Sequence, residues 1–213
     1  DQRGMFGVDN FLDVASNVAF ALAGAAGLAV ALGRRGRFQF SIERWPYVIF
    51  FVGVTLTAAG SAYYHLAPDN ETLFWDRLPM TIAFMGLVCS QIVDRISIRA
   101  GLVLLVPMLL LGAASVIYWR ITERAGVGNV VPYGVLQGYS VVILLLLAVL
   151  KPSRYTHGKI LYWVFAGSLA FAALVLRKNP VRAMLGEQLT LPDAVWTRDV
   201  GKAFRAARAI RAG

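Results

Sequence analysis

The chain has 213 residues, 58% hydrophobic and 15% charged, with the apolar residues gathered in long blocks, a balance that excludes an ordinary soluble domain. The net charge of +9 does not point to nucleic acid, because the basic residues between the apolar blocks sit in short loops, where topology signals belong. The one cysteine, Cys89, lies within an apolar block, so no disulfide framework exists and the thiol reads as a small buried hydrophobe.

Six apolar blocks follow one another. They run from about Phe11 to Leu32, Trp45 to Leu66, Leu78 to Val93, Ala100 to Trp119, Tyr133 to Leu150 and Ile160 to Leu176. Each approaches the roughly 20 residues that cross a bilayer, and backbone groups in lipid must be satisfied within the segment, so the blocks are predicted helices. The first lacks a basic leader and is followed by further spans, so it reads as a span and not as a signal peptide. The fold expected is an all-α polytopic transmembrane bundle of six clear spans over residues 1–176, with a basic divergent tail over residues 177–213.

The loops after the first, third and fifth blocks carry nine basic residues: Arg34, Arg35, Arg37, Arg44, Arg95, Arg99, Lys151, Arg154 and Lys159. The opposite side carries four, Arg3, Arg77, Arg120 and Arg124. The positive-inside rule then puts the N-terminus outside, and the expected location is a bacterial inner membrane. Trp45, Tyr63, Trp75, Trp119, Tyr133 and Trp163, near block ends, fit interfacial anchoring. In the tail, Val200, Ala203, Phe204, Ala207 and Ile210 share one helical face while Lys202, Arg205, Arg208 and Arg211 share the other, as in an interfacial amphipathic helix. No clean seventh span is visible there, and six spans leave this basic tail outside, against the charge rule.

The chemistry-bearing residues cluster where the second block ends. Ser61 and His65 stand four apart, on one helix face. Pro68 ends that helix, Asp69-Asn70 supplies a turn, and the next helix starts near Asp76 with Pro79 in its first turn. The hairpin can bring Asp76 opposite His65. The first block adds Asp13, Ser16 and Asn17, with Asn10, at matching depth. Ionisable groups inside a span are functional candidates by default, and a histidine, a hydroxyl and a carboxylate at one depth suit a metal and its water. The plainer readings are that Asp76 caps a helix and that Ser16, Asn17 and Ser61 are interhelical contacts. His157 reads as a loop residue.

The segments NFLDVASNVAF and GSAYYHLAPDNETLFWDRLPMTIAFMG resemble the alkaline ceramidases, within the wider group that includes the progestin and adiponectin receptors. The shared residues are Ser16-Asn17, Ser61, His65 and Asp76. The resemblance implies a zinc-dependent hydrolase of ceramide-like lipid amides, with His65 as a zinc ligand, Asp76 acting on the zinc-bound water and Ser61 as a hydrogen-bonding catalytic residue. Asp13, Ser16 and Asn17 would line the site, and the partner would be a membrane lipid. The chain departs from that pattern: the two further histidines, His-x3-His, are not found. Three explanations stand open: an inactive relative, a tail from another reading frame, or substitution by carboxylates such as Asp193 or Asp199. A non-catalytic lipid-binding or receptor-like protein is the alternative, and a small transporter using Asp13 and Asp76 is a third.

Overall fold

The computed structural model describes residues 4–33, 38–155, 158, 160, 162–164, 166–167 and 170. Five long helices span α1 Phe11–Leu32, α2 Arg44–Leu66, α3 Asn70–Arg95, α4 Ile98–Arg124 and α5 Val131–Leu150, with a 3₁₀ turn at Ser41–Glu43 leading into α2. All five belong to one unit, Asp1–Gly158. The segments Phe11–Leu32, Ser41–Leu66, Ile98–Arg124 and Val131–Leu150 are long and apolar enough to cross a bilayer. Their side chains are largely exposed and apolar, as a lipid-facing surface requires. The protein is therefore an all-helical membrane protein.

The first, second and fifth blocks become helices within two residues of the expected limits. The third does not. α3 begins at Asn70, eight residues before Leu78, and Asp76 is not its cap. Asp69 takes that place: its carboxylate accepts from the Thr72 backbone N–H, and Thr72 Oγ1 accepts from the Asp69 backbone N–H at 3.1 Å. Those bonds hold the Asp69 carboxyl below the ordinary carboxylate range, the Thr72 backbone N–H contributing most. Pro79 lies well inside the helix. Of the sixth block, Ile160, Tyr162–Val164, Ala166, Gly167 and Ala170 are helical. The tail 177–213, and with it the amphipathic helix, a seventh span, Asp193 and Asp199, lies outside the described residues, as does His157.

α3 is the central helix. It packs against α2, α4 and α5, while α1 packs on α2. Because α3 is shielded from lipid, it tolerates polar residues that a lipid-facing helix would not, and Thr72, Thr81, Ser90, Gln91, Asp94 and Arg95 are all buried on it. At 26 residues it is about 39 Å long, enough to cross despite its polarity. Close approach of α2 and α3 depends on glycine. A β-carbon on Gly86 would lie 2.6 Å from the Phe50 backbone nitrogen, and one on Gly60 would lie 2.0 Å from the Trp75 carbonyl oxygen. That carbonyl has no i+4 donor, because residue 79 is proline. A core cluster of Phe74, Val116, Trp119 and Tyr133 joins α3, α4 and α5 at the end where α3 starts, the Asp69 end.

Candidate functional site

Two polar assemblies occupy opposite ends of α3. The first, at the Asp69 end, contains the residues singled out by sequence. Ser61 on α2 lies against Asp76 on α3, and His65, one turn on from Ser61, is near enough for its charge to act on the Asp76 carboxyl. His65 is coupled to Asp13 of α1 as well. Three helices thus converge on one polar group, because the α2–α3 hairpin reverses the chain and Gly60 lets the two helices touch beside Ser61. Asn10 fixes α1 against it: Asn10 adopts left-handed backbone, and its Nδ2 donates to the His65 carbonyl at 2.9 Å. That carbonyl belongs to the last turn of α2, which has no intrahelical donor to meet it.

Not every candidate joins. Ser16 is exposed, and its hydroxyl donates to the Asp13 carbonyl at 2.7 Å. The bond is satisfied within α1, so Ser16 is not brought into the cluster. Asn17 is 4% exposed and also donates to the Asp13 carbonyl, at 2.9 Å, so its amide too is satisfied within α1. Among the described residues, no three His, Cys, Asp or Glu side chains stand close enough to share a metal ion. His65 and Asp76 alone do not fit the three protein ligands that a catalytic zinc takes.

Beside the cluster, the α2–α3 seam opens to lipid as a shallow apolar groove of about 420 Å³, lined by Leu56, Gly60, Tyr63, Trp75, Leu78 and Ile82 among others. Gly60 and Trp75 of its wall directly precede Ser61 and Asp76 in sequence. Tyr63 and Trp75 are half exposed, where interfacial aromatics sit.

The second assembly, at the opposite Arg95 end, was not anticipated. Glu43 is fully buried; its Oε1 accepts from the Phe40 backbone N–H at 3.1 Å and its Oε2 accepts from the Tyr155 hydroxyl. Asp94, 3% exposed, accepts from the Arg154 backbone N–H at 3.0 Å and lies 3.7 Å from Arg95 Nε. Arg95 donates to Gln91 Oε1 at 2.9 Å, to the Lys151 carbonyl at 2.7 Å and to the Gly158 carbonyl at 3.1 Å. The segment after α5 is thereby fastened to the end of α3 and to the turn before α2. Buried charges need partners: Asp94 and Arg95 lie side by side and are both hydrogen-bonded, and Glu43 is met by two hydrogen bonds. Burial, then the bond to Glu43, pushes the Tyr155 hydroxyl up to about 12. The visible signal was Asp94-Arg95 at the end of an apolar block.

A bundle of long, lipid-exposed helices around buried polar groups defines an integral membrane protein of the helical class. No family model matches the chain and no solved structure does. Curated relatives are named inner membrane-spanning protein YciB. That of Dechloromonas aromatica is 73% identical over 37 residues, 17% of this chain and 18% of the relative. That of Cupriavidus taiwanensis is 54% identical over 39 residues, 18% and 22% of the two chains. That of Laribacter hongkongensis is 33% identical over 69 residues, 30% of this chain and 39% of the relative. The chain thus spans between about a fifth and two fifths of the length of these relatives. The reading as an alkaline ceramidase, with zinc hydrolysis of sphingolipid amides as its function, is corrected by these findings: the relatives are named as membrane-spanning proteins and not as hydrolases. A few polar residues at matching spacing on three helices carried that reading, and such a pattern sets a position in the bundle without setting a reaction.

Proposed function

We propose that this chain is a multi-pass protein of a bacterial inner membrane that binds a lipid without cleaving it, with the headgroup at Asp13, Ser61, His65 and Asp76. The observation that carries this reading is the close approach of Ser61 to Asp76, beside a groove that is apolar and opens sideways to lipid. A carboxylate and an imidazole at the end of an otherwise apolar seam offer an acceptor and a donor to headgroup hydroxyl, amide or ester groups. The groove between α2 and α3 suits one acyl chain of the same lipid, since its lining is apolar and includes Gly60 and Trp75, the neighbours in sequence of Ser61 and Asp76. The names of the curated relatives support the inner membrane.

In this reading the N-terminus and the α2–α3 turn face outward, supported by the excess of basic residues in the loops at the other end. The site then opens to the extracytoplasmic leaflet. The test is lipid retention by the purified chain. Protein extracted in mild detergent should carry lipid through delipidation washes, seen by native mass spectrometry. His65→Ala should weaken that retention and Asp76→Asn should lose most of it. A chain that retains no lipid, or that hydrolyses the lipid it binds, refutes the reading.

A further inference from the structure

Arg77 stands in the core cluster at the Asp69 end with an unmet donor. Its guanidinium carbon lies 4.2 Å from the centre of the Trp119 ring and 5.2 Å from that of Tyr133, and both rings are buried. Its Nη1 is buried and has no hydrogen-bond partner. A ring face attracts the cation but accepts nothing from its in-plane N–H groups, so stacking leaves the donor unsatisfied. Buried polar groups without partners are uncommon in folded proteins and call for an explanation.

The nearby carboxylates are engaged. Asp76, one residue away and about 100° around α3, lies against Ser61 on α2; the Arg77 charge acts on it, but the two form no ion pair. Glu71 pairs with Arg120 and with Arg124, the latter at 2.9 Å, and Glu123 accepts from Asn70 at 2.6 Å. The Tyr133 hydroxyl already accepts from Gln137 at 2.6 Å. Arg120 makes a useful contrast. It too stacks, on Phe74 at 4.3 Å, and it too has a buried nitrogen without a partner, but Glu71 meets its charge. Among the described residues, Arg77 makes no ion pair.

We propose that Arg77 receives the anion of a lipid headgroup, a phosphate or carboxylate, and so selects anionic lipids for the site. The inference rests on the lipid-binding reading and names the class of lipid. A planar guanidinium matches the two oxygens of a carboxylate or phosphate, and the dry surroundings of Trp119 and Tyr133 strengthen the attraction. The depth fits. Arg77 is seven residues in from Asn70, about 10 Å along α3. It is also two residues from Trp75, whose half-exposed ring suits the headgroup boundary. Asp76 and Arg77 together suit a headgroup with both hydroxyl or ester groups and an anion, as in a glycerophospholipid.

The experiment compares short-chain phosphatidylglycerol, short-chain phosphatidylcholine and inorganic phosphate, each titrated into the delipidated full chain and followed by tryptophan fluorescence and native mass spectrometry. Phosphatidylglycerol should bind at least tenfold more tightly than phosphatidylcholine. Arg77→Gln should bring the two to parity, Arg77→Lys should keep part of the preference, and Arg124→Gln should change neither. Equal binding of the two lipids by the unaltered chain overturns the inference while leaving lipid binding intact, and it decides the matter even where Arg77→Gln fails to fold. A preference that survives Arg77→Gln also overturns it. Saturation by inorganic phosphate at the affinity of phosphatidylglycerol overturns the lipid source. Binding of no lipid at all brings down the lipid-binding reading itself.

Discussion

Gly60 and Trp75 are in backbone contact: any β-carbon at position 60 would sit 2.0 Å from the carbonyl oxygen of residue 75. That approach decides where Ser61 and Asp76 meet, because each is the next residue on its helix. Pro79 contributes by removing the N–H that would otherwise bond the Trp75 carbonyl. Gly60→Ala should therefore push α2 from α3. The expected cost is about 1–3 kcal/mol, the usual range for overpacking a tight seam. Reversible unfolding in mixed detergent measures it, and an unchanged midpoint would mean the helices do not touch there.

The Arg95 end should be a cooperative fastening and not a set of independent bonds. Glu43→Ala leaves the Phe40 N–H and the Tyr155 hydroxyl without their acceptor, and a buried orphan costs about 1–3 kcal/mol. Tyr155→Phe removes one side of the same bond. A double-mutant cycle of the two should give a coupling of about 0.5–3 kcal/mol. Strict additivity would show that the Glu43–Tyr155 bond contributes nothing to folding.

Alkali should loosen this end. The Tyr155 hydroxyl ionises at about 12 in the folded chain, against an ordinary value of 10.0, so folding favours its protonated form. Its stabilising contribution is complete below about pH 10 and is lost as pH rises from there through 12. Melting temperatures from pH 9 to 12.5 should fall more steeply for the unaltered chain than for Tyr155→Phe. Parallel curves for the two would contradict the assignment.

The turn that starts α3 gives the converse sign. The Asp69 carboxyl is held below its ordinary 3.8 by the Thr72 bonds, so its contribution is present above about pH 4 and lost below it. Asp69→Asn should flatten the acid limb of the stability profile, while Asp69→Ala should also lower stability at neutral pH. Thermal melts between pH 2 and 7 separate the two effects. An acid limb equally steep in Asp69→Asn would place the titration elsewhere.

Helices α1, α2 and α5 were legible because their apolar runs are uninterrupted and lipid sets their length. The start of α3 was not. Its first two turns, Asn70 to Arg77, are polar enough to end a hydropathy window, although Asp69 and Thr72 already spelled a cap. The same central position explains both the misreading and the helix, since a helix enclosed by α2, α4 and α5 need not be apolar throughout. Ser61, His65 and Asp76 could be placed near one another because helical spacing and a short hairpin fix their neighbourhood. Ser16 was not, because polarity names a residue without naming its face, and its own helix satisfies it. The Arg95 end escaped because Asp94 meets Arg154 and Glu43 meets Tyr155 across 60 and 112 residues, where no local rule applies. Its basic residues served as a count for orientation, which hid their pairing.

The central claim is that the Ser61–Asp76 pair holds a lipid headgroup. Native mass spectrometry of the detergent-purified chain, before and after Asp76→Asn, tests it most directly. The account predicts one lipid per chain retained by the unaltered protein and lost from the variant, with His65→Ala retaining it in part. Equal lipid retention by the unaltered chain and Asp76→Asn would contradict it.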